Sequence, residues 1–259
     1  MNWLIHHKAE TASTNLDARA GHHGDVFTAD YQTAGRGRLD HKWLSLPKTN
    51  LMMSAVLSVE GLAPEQVATL PLVVGLSVIK AVEEMVGSDV LGRPQQLKWP
   101  NDVLIDGKKI AGILCERNGD NVIAGIGVNV GQTEFPPEIA ERATSLRIVC
   151  GAPGYPPSEA SSEGGAMRGG RALPSPDAVR DQILSQLDRW YGIWRVAGFA
   201  AVHSEIAAVD FLKGREIAVR QTDDDSDPIV GVSNGIMPDG SLDVGGIRVY
   251  AGEAHVEKL

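Results

Sequence analysis

The sequence predicts an α+β fold in which helices pack on a mixed or antiparallel sheet, followed by a small C-terminal domain of short strands. Two segments, at residues 64–86 and 177–196, have apolar residues at helical spacing. Four short apolar runs between residues 96 and 130 alternate with turn residues, which indicates an antiparallel meander. Beyond residue 210 the chain contains only short strand-like runs. A chain of 259 residues is long enough to form both units.

The first quarter of the chain predicts three strands and one short helix. The strands are expected at residues 2–8, 26–33 and 51–59. Residues 13–15 read Ser-Thr-Asn and predict the start of the helix, because short polar side chains can accept hydrogen bonds from the free backbone N–H groups of a first turn. Gly21 would end this helix.

The middle of the chain predicts a long helix followed by four strands. An apolar stripe runs along the helix at 64–86, and Pro71 would either kink it or mark its true first turn. Asp106 and Gly107 predict a two-residue hairpin, because both central positions of a type I′ turn need a positive φ. The strands are expected at 96–99, 102–106, 108–116 and 121–130.

Residues 150–176 differ in composition from the rest, since 15 of these 27 residues are Gly, Pro or Ser. Such a segment is typical of a loop or an insertion rather than of the core. Ser175 and Pro176 then predict the cap and the first position of a helix over 177–196, and Gly198 predicts its end.

The C-terminal part predicts a separate small domain. After a shorter helix near 201–209, about 50 residues of short antiparallel strands and glycine-containing turns are typical of a small SH3-like barrel. We therefore divide the chain into a large domain at residues 1–209 and a small one at residues 210–259. The five strands are expected at 215–221, 229–233, 240–244, 246–251 and 253–258.

Composition and charge argue against several classes of function. The net charge of −9 disfavours a dedicated nucleic-acid binder, whose surface is normally basic. Two cysteines, Cys115 and Cys150, favour a reducing compartment over a disulfide framework. Because we find no run of 18 apolar residues and no signal peptide, we expect a cytoplasmic protein without membrane contact.

Two basic motifs indicate a site for an anionic ligand. Residues 98–109 place three lysines around the predicted hairpin, and the apolar strand behind them can pack in the core. Residues 35–38 read Gly-Arg-Gly-Arg; glycines let a backbone approach a ligand closely, and arginines bind phosphate or carboxylate. This loop is neither a Walker A loop nor a dinucleotide fingerprint, because it lacks the Gly-Lys-Ser/Thr ending and the third glycine.

The order of the motifs resembles that of biotin protein ligases. The matching segments are Ser-Thr-Asn at 13–15, Gln-Thr-Ala-Gly-Arg-Gly-Arg at 32–38 with Trp43, Lys-Trp-Pro-Asn-Asp at 98–102, Lys-Ile-Ala-Gly-Ile at 109–113, Gly-Ile-Gly-Val-Asn at 125–129 and Ala-Gly-Glu at 251–253. The resemblance covers nearly the whole chain. It implies the class II synthetase-like catalytic domain of biotin and lipoate ligases, followed by the family's small C-terminal barrel.

The resemblance implies a two-step reaction. The carboxylate of biotin attacks the α-phosphate of Mg-ATP to form biotinyl-5′-AMP, and a lysine of a biotin carboxyl carrier protein then displaces AMP. Cationic side chains are needed because two anions must meet. The implied ligands are biotin, ATP and Mg²⁺, the implied partner is the carrier protein, and a homodimer is left open.

The resemblance also implies roles for single residues. Lys109 resembles the lysine that contacts the biotin carboxylate and the α-phosphate, and Arg36 and Arg38 resemble the arginines that close over the intermediate. The implied biotin-binding set is Ser13, Thr14, Asn15, Gln32, Arg36, Gly37, Arg38, Lys109 and Gly112. The implied ATP-binding set is Lys98, Asn101, Asp102, Trp43 and Asn129, with Asp102 as the candidate Mg²⁺ ligand.

The sequence departs from the family pattern in several places, and other functions are compatible with its architecture. Residues 39–42 follow Arg38 where many family members are more basic or richer in glycine, and the segment 150–176 is longer than expected. Only 12 residues precede Ser13, too few for a three-helix DNA-binding unit, so we expect no operator binding.

A lipoate or octanoate ligase or transferase shares the architecture, and a non-catalytic biotin sensor would bind biotin without adenylating it.

Overall fold

A computed structural model of the chain describes residues 1–39, 41–87, 94–150, 173–221 and 227–256. Most of the predicted loop at 150–176 therefore lies outside the described residues. The helices and strands are β1 (Leu4–Thr11), α1 (Thr14–Asp17), β2 (Asp25–Gln32), β3 (Leu51–Ser58), α2 (Pro64–Ala68), α3 (Leu70–Val86), β4 (Gln95–Lys98), β5 (Asp102–Ile105), β6 (Lys108–Asn118), β7 (Asn121–Val128), α4 (Leu146–Cys150), α5 (Pro176–Ala197), α6 (His203–Ala208), β8 (Glu216–Arg220), β9 (Ile229–Ile236), β10 (Leu242–Val244), β11 (Ile247–Val249) and β12 (Glu253–Val256).

Seven strands form a mixed sheet in the order β1-β2-β3-β7-β6-β5-β4. β1 and β2 run parallel, and the other neighbouring strands run antiparallel. The long helices α3 and α5 pack on each other and on the sheet, and this contact buries residues such as Leu57, Val74, Ile113 and Leu187. Burial of apolar surface is the main favourable term in folding. The predicted α+β class and the meander from β4 to β7 are confirmed.

The segment 64–86 forms α2 and α3 rather than one helix. Pro71 lies in the first turn of α3, where a missing backbone N–H costs no hydrogen bond. Thr69 at the break donates its hydroxyl to the Gln66 carbonyl (2.7 Å) and accepts the indole N–H of Trp194 (2.8 Å). Of the two alternatives for Pro71, the first-turn position is confirmed.

The predicted helix start at Ser13 and its end at Gly21 are confirmed, but the predicted capping hydrogen bond is wrong. Ser13 precedes α1, but its side chain makes no capping hydrogen bond. α1 has only four residues and continues as a 3₁₀ turn at Ala18–Ala20. The reason is burial: Ser13, Thr14 and Asn15 are each at most 4% exposed, so burial has taken their side chains away from the helix terminus.

The predicted hairpin turn and the second long helix are confirmed. Asp106 and Gly107 have φ values of 54° and 72°, as a type I′ turn needs. Ser175 accepts a hydrogen bond from the Ala178 N–H (3.2 Å) at the start of α5, and Gly198 ends that helix with a φ of 77°. Across the described ranges, no helix combines the length and the apolar character needed to span a bilayer.

Five short strands form a second sheet in the order β11-β10-β9-β8-β12. Asp210 connects it to the large sheet, since it pairs with Leu97 of β4 and its carboxylate accepts the Ile236 N–H at 2.9 Å. Trp99, just after β4, donates its indole N–H to the Gly240 carbonyl (3.2 Å). The C-terminal β unit is confirmed, while its SH3-like character and the domain boundary stay predictions.

Gly192 in α5 is a position where a side chain should stabilise the fold. Apart from the chain neighbours and the backbone of its own helix, no atom lies within 4 Å of the place that its Cβ would take. Because alanine in a helix interior is more stable than glycine by roughly 0.5–1 kcal/mol, we expect Gly192→Ala to raise the free energy of unfolding by that amount. Urea unfolding followed by circular dichroism measures the effect, and an unchanged or lower midpoint would contradict it.

Candidate functional site

A cleft lies where β6 and β7 meet the loop between β2 and β3 and the segment that begins α1. Its wall includes every predicted site residue except Lys98 and Asn129. The structure thus brings separate sequence segments together, while the roles of their residues stay predictions. The lining residues are Ser13, Thr14, Asn15, Gln32, Arg36, Gly37, Arg38, His41, Lys42, Trp43, Met52, Met53, Asn101, Asp102, Lys109, Gly112, Ile113, Leu114, Gly125, Ile126, Gly127 and Glu253.

One end of the cleft is a set of neutral polar side chains. Thr14 donates its backbone N–H and its hydroxyl to the Gln32 carboxamide oxygen, at 2.8 and 3.1 Å. Ser54 on β3 is fully buried, and its hydroxyl oxygen lies 2.7 Å from that of Thr14 and 2.6 Å from the Asn15 carboxamide oxygen. Buried polar groups need such partners. This end can therefore offer hydrogen bonds to a ligand without carrying a charge.

A carboxylate completes the same network on the sheet side. The Asn15 carboxamide donates to Glu116 on β6 (2.6 Å) and to the Leu114 carbonyl (3.3 Å). The other carboxylate oxygen of Glu116 accepts a hydrogen bond from the Arg36 guanidinium at 3.0 Å, and Arg19 lies 3.9 Å from it. Glu116 thus joins the segment that begins α1 to the Gly-Arg loop, which we define as residues 35–38.

The floor of the cleft consists of glycines on β6 and β7. A Cβ on Gly125 would overlap the Asn15 carboxamide oxygen, and a Cβ on Gly127 would overlap the Trp43 indole. A Cβ on Gly112 would lie 3.2 Å from the same indole. Side chains at positions 125 and 127 would displace the groups that line the cleft, so the close approach requires glycine there, whereas a side chain at 112 would meet only a tight fit.

The other end of the cleft holds a lysine–carboxylate pair. The ammonium nitrogen of Lys109 on β6 lies 2.6 Å from a carboxylate oxygen of Asp102 on β5, and 5.9 Å from the centre of the Trp43 ring. The Lys109 backbone is held on both sides, because its N–H donates to the Arg142 carbonyl (2.7 Å) and its carbonyl accepts the Thr144 N–H (2.9 Å). A cation fixed in this way can stabilise negative charge that develops in the cleft.

The Gly-Arg loop contacts the C-terminal sheet. Arg38 donates hydrogen bonds to the Gly252 carbonyl (3.2 Å) and to the Asn101 carboxamide oxygen (3.5 Å). His41 lies 3.6 Å from the carboxylate of Glu253. Because Glu253 itself lines the cleft, the C-terminal sheet contributes to the site.

Two predicted site residues lie outside the lining of the cleft. Lys98 is opposite Asp102 in the β4–β5 pair, and burial lowers the pKa of its ammonium although the Asp102 charge opposes the shift. Asn129 is buried and donates its carboxamide to the Thr144 carbonyl (3.0 Å). In this structure Asn129 therefore supports the segment that holds the Lys109 backbone.

Sequence reasoning missed Ser54, Glu116 and Glu253 as site residues. Ser54 is the one polar residue in the run Leu-Met-Met-Ser-Ala-Val-Leu of β3, and this contrast is a usable signal because a buried hydroxyl needs a partner. Glu253 belongs to the Ala-Gly-Glu motif at 251–253, but nothing in the spacing of Glu116 or Glu253 indicates that either carboxylate lies at the cleft.

The described residues contain neither a cluster of metal ligands nor a reactive thiol. In the ranges that the structure describes, no three His, Cys, Asp or Glu side chains are grouped so that they could hold a metal ion. Mg²⁺ commonly uses one or two carboxylates together with substrate phosphates, so Asp102 remains a candidate ligand for an ion that arrives with a triphosphate. Burial raises the pKa of the Cys115 thiol to about 12 and also raises that of Cys150, so neither is an activated nucleophile.

The chain is similar to known proteins over most of its length. The Biotin/lipoate A/B protein ligase family matches residues 5–132. A biotin–(acetyl-CoA-carboxylase) ligase of Mycobacterium tuberculosis is 30% identical, and the match covers 97% of this chain and 87% of that protein. The biotin protein ligase of Aquifex aeolicus in complex with biotin and ATP has a TM-score of 0.78 at 28% identity, over 98% of this chain and 99% of that one. The Leishmania major biotin protein ligase in complex with biotinyl-5-AMP has a TM-score of 0.64 at 26% identity, over 98% of both chains.

Proposed function

We propose, from the premise that this chain belongs to the biotin/lipoate A/B protein ligase family, that its cleft carries out both steps of a biotin–protein ligase reaction. Membership rests on the relative that is 30% identical and covers 97% of the chain. Biotin and ATP are the substrates. One observation carries the assignment to the cleft: a neutral polar end at Thr14 and a lysine end at Lys109 share a single wall.

In the first step, an oxygen of the biotin carboxylate attacks the α-phosphorus of ATP and pyrophosphate leaves. The bond that forms is the mixed anhydride of biotinyl-5′-AMP. Both reactants are anionic, so the step needs a cation placed where their charges meet. The position of Lys109 in the cleft wall and the two hydrogen bonds that hold its backbone support this role.

In the second step, the neutral amine of an acceptor lysine attacks the acyl carbon, AMP leaves and the amine loses a proton. We propose a biotin carboxyl carrier protein as the acceptor. Between the steps the mixed anhydride must be protected from water. The Gly-Arg loop is the proposed cover, because Arg36 and Arg38 lie in the cleft wall and Arg38 reaches the Gly252 carbonyl.

The polar end of the cleft is the proposed site for the ureido ring of biotin. A urea group has two N–H donors and one carbonyl acceptor, so it needs partners of both kinds. The Thr14 hydroxyl and the Gln32 carboxamide offer such partners, and Ser13 and Asn15 complete the proposed set. Gly112 would leave room for the fused ring.

The nucleotide is proposed to lie toward the β5 end of the cleft. Mg²⁺ would enter bound to ATP, and Asn101 and Asp102 are the proposed groups that organise the ion and the triphosphate. Lys98 would face the phosphates from β4. Trp43 is proposed for the adenine end, and Asn129 is proposed to act there from behind the cleft lining, because its carboxamide donates to the Thr144 carbonyl.

The cellular location and the partners of the protein are also proposals. A cytoplasmic location is supported by two free cysteines, and the net charge of −9 is the reason that no nucleic-acid partner is proposed. A measurement of the mass of the protein in solution distinguishes a monomer from a homodimer.

Incubation of the purified chain with biotin, Mg-ATP and a biotin carboxyl carrier domain tests the proposed function. We expect biotin-dependent pyrophosphate release and one biotin on the carrier lysine by mass spectrometry, with no product on a carrier whose acceptor lysine is arginine. A product formed with lipoate or octanoate instead of biotin would identify the alternative ligase or transferase. Biotin binding without pyrophosphate release would identify a sensor.

A further inference from the structure

We propose that Glu116 is a positioning residue of the biotin site, which fixes the orientation of the Asn15 carboxamide and attaches Arg36 of the Gly-Arg loop to the sheet. This inference rests on the proposed function, because the affinity that it concerns is the affinity for biotin. A carboxylate does not attract an anionic ligand, and Glu116 instead accepts hydrogen bonds from two residues of the cleft wall, Asn15 and Arg36.

The carboxylate determines which way the Asn15 carboxamide faces. A carboxylate that is paired with an arginine only accepts hydrogen bonds. At 2.6 Å from Glu116, Asn15 must therefore present its NH₂ group, since its carbonyl oxygen would be repelled. The second N–H of that group points to the Leu114 carbonyl (3.3 Å), and the carbonyl oxygen is left to face Ser54 at 2.6 Å.

The orientation of Asn15 affects the ligand site through the hydroxyl groups of Ser54 and Thr14. With Asn15 oriented as described, the single hydroxyl hydrogen of Ser54 has two acceptors within reach, the Asn15 carboxamide oxygen at 2.6 Å and the Thr14 hydroxyl oxygen at 2.7 Å. An inverted Asn15 would donate to Ser54, and of these two acceptors only Thr14 would then be left for the Ser54 hydrogen. That bond would permanently occupy a lone pair of Thr14 that an N–H of a urea can use. Glu116 therefore favours Thr14 as a hydrogen-bond acceptor for the ligand.

The second oxygen of Glu116 fixes the loop. Arg36 donates to it at 3.0 Å, and hydrogen bonds between two charged groups are stronger than those between neutral groups. The Arg36 side chain is 45% exposed, so without this carboxylate its guanidinium would be free to turn into solvent. The Glu116 side chain thus links the polar end of the cleft to the loop that is proposed to cover the intermediate.

Glu116→Gln tests the proposal, because Asn15 and Arg36 donate to different oxygens of Glu116 and a carboxamide has only one acceptor oxygen. We expect the Kd of the full chain for biotin, measured by calorimetry without ATP, to rise about tenfold. The KM for biotin should rise more than kcat falls. Asp120→Asn removes the same charge from the exposed turn between β6 and β7, and it should leave the Kd within about twofold of wild type.

An exchange of donor and acceptor provides a second test. Asn15→Asp alone brings two carboxylates together and should weaken biotin binding at least about tenfold. Adding Glu116→Gln restores complementarity, because the new carboxamide can donate to the new carboxylate and accept from Arg36. The double variant should therefore bind biotin more tightly than Asn15→Asp alone.

Thermal unfolding of each variant separates a loss of binding from a loss of fold. Wild-type affinity in a folded Glu116→Gln protein would overturn the positioning role, and so would a double variant that binds no better than Asn15→Asp. If Glu116→Gln alone does not fold, the comparison of the double variant with Asn15→Asp decides. A wild-type chain that does not bind biotin would instead contradict the proposed function.

Discussion

Lys109→Ala is expected to slow the formation of biotinyl-5′-AMP by roughly 10²- to 10³-fold, the usual effect of removing one group that stabilises charge in a transition state. The ammonium lies on the cleft wall beside Asp102, at 2.6 Å, rather than in the apolar core. The variant should therefore stay folded. A single-turnover reaction with labelled ATP, quenched with acid, measures the rate of the first step without product release.

Lys108 is the matched control for this experiment. It is the exposed neighbour of Lys109 at the same hairpin, and successive residues of a strand point to opposite faces. Lys108→Ala removes an equal charge and should leave the single-turnover rate within about twofold of wild type. A Lys109→Ala protein that is folded and reacts at the wild-type rate would remove Lys109 from the proposed mechanism.

The Lys109→Ala variant leaves Asp102 without its cation, which gives the experiment a second arm. An uncompensated carboxylate repels the phosphates of ATP, so part of the loss should be in nucleotide affinity. Adding Asp102→Asn removes this charge together with the proposed Mg²⁺ ligand, so neither the rate nor the affinity for Mg-ATP should recover. Full recovery of the rate would show that the lysine only neutralises Asp102.

The parts of the fold that could be predicted from sequence depend on a few adjacent residues. The hairpin at Asp106 and Gly107 needs only two positive φ values, and the ends of α5 need only a cap at Ser175 and a glycine at position 198. Such rules fail where tertiary burial competes with them. Residues 13–15 satisfy the rule for a helix cap, yet their side chains are drawn into the cleft, and the helix is a single turn.

The site could be predicted only as far as its residues form contiguous motifs. Glu116 contacts Asn15, 101 positions away, because β6 pairs with β7, β7 pairs with β3, and α1 packs across those strands. A partner set by sheet order and register leaves no spacing pattern in the sequence. For the same reason Asn129, expected near the adenine, has its side chain engaged with the Thr144 carbonyl.

Gly125→Ala is expected to weaken biotin binding by roughly 10- to 100-fold, because overpacking of a filled site costs about 1–3 kcal/mol. The new methyl group would overlap the Asn15 carboxamide oxygen. Asn15 cannot move aside without cost, since it donates to Glu116 and lies 2.6 Å from the Ser54 hydroxyl. Calorimetric titration with biotin measures the loss, and Gly192→Ala is the control for an equal substitution in open space.

A second substitution separates the clash from a general loss of stability. Asn15→Ala removes the group that the methyl would meet, so Gly125→Ala should lower the thermal midpoint less in an Asn15→Ala protein than in the wild-type chain. The biotin affinity of the double variant should stay low, because Asn15 belongs to the proposed ureido-binding set and its carboxamide oxygen is a hydrogen-bond partner of Ser54. Wild-type affinity in Gly125→Ala alone would mean that the polar end of the cleft tolerates displacement, and the assignment of that end to the ureido ring would then be wrong.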